Sequence, residues 1–96
     1  MSSELEQSKL RKKIQKEYPD FVEAVNGMSV LQLEARLTTM AKHRIKTKQA
    51  KKEVEKLNEV AAIKAELESP YNDTLKALDI QSEYVALLIK EKGGQA

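Results

Sequence analysis

No cysteine occurs in this chain, and that single absence removes a disulfide framework, a thiol nucleophile and a zinc–thiolate site together. Histidine is nearly absent too: His43 stands alone, with no second histidine and no spaced acid pair to complete a metal site. Aromatic residues make up only 4% of the chain. Three glycines and two prolines are present, and each falls where a helix is expected to begin or end. No GxGxxG or GxxxxGK[ST] phosphate loop occurs, and no serine, histidine and aspartate fall into an order that indicates a triad. No apolar run approaches the ~18 residues that a membrane-spanning helix needs. The opening MSSELEQSKLRKK has no apolar stretch and does not read as a secretory signal. These absences lead us to expect a non-enzymatic protein without cofactor or metal, and they make a soluble cytoplasmic chain the default reading.

What is present is charge and helix-forming residues. Asp, Glu, Lys and Arg account for 33% of a 96-residue chain, and the sequence is rich in Glu, Lys, Ala and Leu, the composition of long helices and coiled coils. The net charge of +2 says little; its distribution says more. Of 17 basic residues, five lie in Lys9–Lys16 and six in Lys42–Lys52, and neither window contains an acid. Like charges at helical spacing repel by a few tenths of a kcal/mol per pair, so two such windows call for a reason.

The length fits one domain. Ser3 with Glu6 forms a capping-box signature and opens a basic helix over about 4–17, whose stripe is Leu5, Leu10, Ile14 and Tyr18. Tyr18-Pro19 ends it, since the residue before proline is pushed out of the α region. Pro19 then starts a short plug helix anchored by Phe21, with Val22 and Val25 on its apolar face and Gly27 as a C′ glycine. Ser29 and Gln32 form a second capping box, with Met28 and Leu33 as a hydrophobic staple. From there no glycine or proline interrupts the chain before Pro70. The sequence therefore predicts one helix of about 40 residues, ~60 Å long, over 28–68. Ser69-Pro70 is expected to end it and to cap a last helix over about 71–92. That helix carries the stripe Tyr71, Leu75, Leu78, Ser82, Val85 and Ile89, widened by Ala77, Tyr84, Leu87 and Leu88. The expected fold is all-α: a basic N-terminal helix (1–18), a short helix (19–27), and a long antiparallel, coiled-coil-like hairpin (28–92) that self-associates.

On a helical wheel, Val30, Leu33, Leu37, Met40 and Ala41 share one face. Continued by one and two turns, that face meets Arg44, Lys48 and Lys51, so an apolar stripe becomes a basic one. Beyond Glu53 apolar residues return on another side. No acid occurs between Ala35 and Lys52 to neutralise the waist. A phosphate backbone is one partner such windows suit, because neutralising phosphates releases counterions, and lysine-rich clusters suit backbone contact more than base reading. The candidate nucleic-acid-binding residues are Arg44, Lys48, Lys51, Lys52 and Lys42, with Lys9, Arg11, Lys12, Lys13 and Lys16 joining them if the first helix folds beside the waist. Tyr18 either stacks on an unpaired base or packs at a helix end. The other reading of the waist is a solvated face whose lysine stems cover apolar surface.

The segment ELESPYNDTLKALDIQSEYVALLIKEKGG (66–94) looks like a recurring tail of small helical accessory proteins of bacteriophages, which would place the chain in a host cytoplasm. The segment LEARLTTMAKHRIKTKQAKKE (33–53) is similar to the basic helical part of T4-type recombination mediators. That resemblance implies an all-helical oligomer that binds single-stranded DNA and helps load a recombinase, with Arg36, Leu37, Lys42, Arg44, Lys48, Lys51 and Lys52 at or beside the DNA. Two functions follow. One is an oligomeric accessory protein that binds single- or double-stranded DNA. The other is a protein-interaction module (a phage inhibitor, adaptor or scaffold) that meets a host or phage protein through a surface including Phe21, Val22 and Leu87.

Overall fold

A computed structural model describes residues 4–93 of the chain. Four α-helices and no strand occur among the described residues: α1 (Glu4–Glu17), α2 (Pro19–Asn26), α3 (Val30–Glu55) and α4 (Ala61–Gly93). The first two fall where the sequence places them. Ser3, the expected cap of α1, lies outside the described residues. Ser29 caps α3 as its capping box requires: the Gln32 backbone N–H donates to Ser29 Oγ at 3.2 Å, and Ser29 N–H donates to Gln32 Oε1 at 2.9 Å. Ser29→Ala should cost about 1 kcal/mol, read as a lowered midpoint in thermal unfolding followed by circular dichroism.

Two expectations about the ends of helices are corrected. Gly27 does not adopt the left-handed C′ conformation; it closes α2 with φ −86° and ψ 0°, a conformation any residue reaches. More consequentially, the long helix does not run to Glu68. α3 ends at Glu55, where the Lys56 N–H is shared between the Lys52 and Glu53 carbonyls and the Leu57 N–H closes a tight turn on Val54 O at 3.0 Å. The chain reverses over 56–60, and α4 then continues unbroken through Ser69 and Pro70. The physical reason is partner length. A helix over 28–68 facing one over 71–92 would leave almost half its length unpaired. Reversal near residue 58 gives helices of 26 and 33 residues, which cover one another.

The two long helices run antiparallel. Lys92, at the end of α4, donates from Nζ to Asn26 O at 2.9 Å and also to Met28 O, just ahead of α3. Midway along, Arg44 meets Asp79. Buried and half-buried positions on α3 recur at Val30, Leu33, Leu37, Met40, Thr47, Lys51 and Val54, with Arg44 filling the one gap in the spacing. On α4 they recur at Lys64, Glu68, Tyr71, Leu75, Leu78, Ser82, Val85, Ile89 and Lys92. Both series step alternately by three and four, the spacing that keeps one face of a helix against a neighbour. The apolar stripe read from the sequence in 71–92 is thus the packed face of α4.

The hydrophobic core occupies one end of this 54 Å long molecule. It is built from Ile14 of α1, Val22 and Val25 of α2, Leu33 and Met40 of α3, and Leu78, Tyr84, Val85 and Leu88 of α4. Tyr84 keeps its hydroxyl satisfied by donating to Asn26 Oδ1 at 2.7 Å. α2 plugs the base through Val22 and Val25. Phe21, the expected anchor, is only half-buried, with the Arg36 guanidinium 5.6 Å from its ring centre. α1 lies against α2 and α4, held by Ile14 and by an Arg11–Glu91 ion pair. Leu5, at the head of its expected stripe, is exposed. Away from the base, the hairpin continues as a two-helix arm in which Thr47 is, among the described residues, the one buried side chain.

Candidate nucleic-acid interface

The basic window of α3 lies on this arm. Six cations leave the helix in different directions, and the structure sorts them. Arg44 occupies a packing position and pairs across the hairpin with Asp79, Nη1 to Oδ1 at 3.0 Å. Both side chains are about half exposed, so the pair contributes at most about 1 kcal/mol. The pair also matches the charge of the one arginine of the window. Lys51 is half-buried at the next packing position but one, its stem against α4 and its ammonium free of any acid. Lys42, Lys46, Lys48 and Lys52 are exposed. Among the described residues, none of these five lysines comes within 4.0 Å of a carboxylate.

One detail of the wheel is corrected. The packed face passes from Arg44 through Thr47 to Lys51, so Thr47 rather than Lys48 stands in line with Leu33 and Met40. Thr47 suits that place because its hydroxyl is satisfied within its own helix, donating to His43 O at 2.8 Å. Lys48 is displaced to the flank, where it lies one turn from Lys52. Those two lysines face solvent together.

The first basic window does not fold beside the second. α1 packs on α4 and α2, and α4 packs on α3, so α4 stands between the windows. Arg11 is engaged by Glu91, whereas Lys9, Lys12, Lys13 and Lys16 are exposed. The windows approach one another at one residue. Asp79, which holds Arg44, also lines an open groove of about 690 Å³ between α1 and α4 with Lys9, Lys13, Tyr18, Lys76 and Glu83. Tyr18 there packs half-buried against the core, the structural role the sequence offered for it. Lys76 was not among the candidates: it reaches Lys9 and Lys13 only through the docking of α1, and nothing local marks it. The groove mixes acids with lysines, so it offers an anion no clear run of positive charge, unlike the outer surface of α3.

His43 lines a second shallow groove beside Arg36, Met40, Thr74 and Gln81. No group of three His, Asp or Glu side chains able to hold a metal occurs among the described residues. No described helix is long and apolar enough to cross a membrane. What the arrangement offers is an array of fixed, unneutralised positive charge. No family model, curated protein or solved structure matches the chain.

Proposed function

We propose that the protein is a non-enzymatic, oligomeric accessory protein that binds nucleic acid through its phosphate backbone. The contact is the lysine track of α3, with Lys42, Lys48, Lys51 and Lys52 at its centre and Lys46 beside them. The exposed lysines of α1 (Lys9, Lys12, Lys13 and Lys16) add a weaker, separate field. Arg44 supports the track from within the hairpin, because its charge is already matched by Asp79. The observation that carries this reading is that, among the described residues, no acid lies within 4.0 Å of the five α3 lysines. Crowded ammonium groups on one helix repel one another, and a polyanion relieves that repulsion while releasing its own counterions. Lysine ammonium groups contact phosphates and not base edges, so affinity should depend little on sequence. Single-stranded DNA is the form to which the resemblance of residues 33–53 points.

Binding is tested by fluorescence anisotropy on labelled single- and double-stranded DNA. With about five phosphates neutralised on a single strand, affinity should fall roughly a hundredfold between 50 and 200 mM salt. Affinity that is indifferent to salt, or no binding at 50 mM, would contradict the proposal.

A second reading, a protein-interaction module, has support at a different place from that expected. Val22 is buried in the core, while Phe21 and Leu87 are half-buried, so that surface is largely consumed by folding. Apolar surface is instead free at the far end of the arm, at Leu57, Val60, Ile63 and Leu67.

A further inference from the structure

The outer half of the hairpin is packed inside out. Its packing positions carry Arg44, Thr47, Lys51, Val54, Lys64 and Glu68, of which Val54 alone is apolar. Four of its large apolar side chains are left exposed: Leu57 is 42% exposed, Val60 63%, Ile63 43% and Leu67 44%. A solvated arm would place lysine and glutamate outside and leucine inside. Here Ile63 and Leu67 lie one turn apart on one face of α4, and Leu57 and Val60 lie in or beside the turn that joins the helices. All four stand in the turn or in the first two turns of α4, and exposed apolar groups gather on a protein surface where something covers them.

The charges at the tip say what fits. Over residues 42–56 the α3 side carries seven basic residues against two acids. Over 59–79, the turn and α4 side carry five acids (Glu59, Glu66, Glu68, Asp73, Asp79) against two lysines. One edge of the arm is positive and the other negative. A two-fold axis through such a surface brings the positive edge of each copy to the negative edge of the other, with the apolar tip residues between them, as an isologous interface requires. We infer that the arm tip is the surface through which two copies of this chain associate, antiparallel, into a four-helix bundle. The inference rests on the self-association contained in the proposed function, and it assigns that self-association a place.

Sedimentation velocity of the full chain without nucleic acid tests this across about 5–500 μM. The wild type should approach twice the 10.9 kDa chain mass. Ile63→Ser with Leu67→Ser should weaken association more than tenfold while leaving the far-ultraviolet circular dichroism spectrum unchanged, because neither residue belongs to the core. Glu66→Lys with Asp73→Lys should also weaken it, and adding Lys46→Glu to that chain should restore part of the loss. A dimeric wild type whose association is untouched by the serine pair would overturn the tip as the surface while leaving self-association standing. A wild type that stays monomeric throughout would overturn both.

Discussion

Leu33→Ala is expected to destabilise the protein by about 2–5 kcal/mol, whereas Leu31→Ala, two positions earlier on the same helix, should change stability by less than about 0.5 kcal/mol. Leu33 is fully buried and Leu31 is 77% exposed. Leu33 lies where α3 begins to pack against the end of α4, in the cluster with Val25, Val85 and Leu88. Truncation there removes apolar contact from several helices at once, and a core of nine side chains at one end of an elongated molecule has little else to compensate. A chain of this size has only a few kcal/mol of net stability, so the variant should unfold at markedly lower urea and be partly unfolded near body temperature. Urea titration of both variants decides the matter. Equal shifts of the two midpoints would mean that the base of the hairpin is not the core.

The second large effect has the opposite sign. Pro70 is inside α4, the tenth residue of that helix. It has no N–H to donate to the carbonyl of Glu66, and its ring crowds that carbonyl. A proline in a helix interior costs ~3 kcal/mol relative to alanine, and part of that is offset because proline also restricts the unfolded chain. Pro70→Ala should therefore stabilise the protein by about 1–2 kcal/mol, raising the thermal midpoint by roughly 5–15 °C. Thr74, whose hydroxyl donates to Pro70 O at 2.9 Å, retains that bond in the variant. The same substitution distinguishes two placements of the helix boundary. If Pro70 stood at the first position of a helix, as the local Ser-Pro signal suggests, alanine would be neutral or slightly destabilising. A fall in the midpoint would restore that boundary.

Pro70 also shows where the sequence stops being legible. Local signals were readable wherever tertiary packing agreed with them. Tyr18-Pro19 divides α1 from α2 because nothing holds the chain straight there. Ser29 caps α3 because its partner, Gln32, is three residues away. At Pro70 packing disagrees with the local signal: Lys64 and Glu68 before it, and Tyr71, Leu75 and Leu78 after it, all lie against α3, so both halves are held in line and the helix continues. The true reversal, at Lys56-Leu57-Asn58-Glu59-Val60, contains neither glycine nor proline. It is set by where α3 and α4 come to equal reach, a property of the pair and of no local stretch. The hairpin itself, its direction and the apolar stripe of its last helix were visible because period and spacing encode them. Of the candidate site, the sequence showed the lysines but not their surroundings. The acid-free window marks the lysines of α3. That Asp79 answers Arg44, and that Thr47 displaces Lys48 from the packed face, depend on the register of two helices about 35 residues apart in sequence.

The central claim is that the α3 lysines are the nucleic-acid contact. It is tested most directly by comparing two charge-reversal variants with the wild type on a labelled single strand at 50 mM salt. Lys48→Glu with Lys51→Glu and Lys52→Glu removes three contacts and adds repulsion, so affinity should fall about a hundredfold and the salt slope should flatten by about two. Lys12→Glu with Lys13→Glu and Lys16→Glu makes the same change of charge on α1, on the other side of α4, and should cost less than about tenfold. Equal losses for the two variants would show that overall charge, and no particular surface, holds the strand. Unchanged binding by the α3 variant would contradict the account outright.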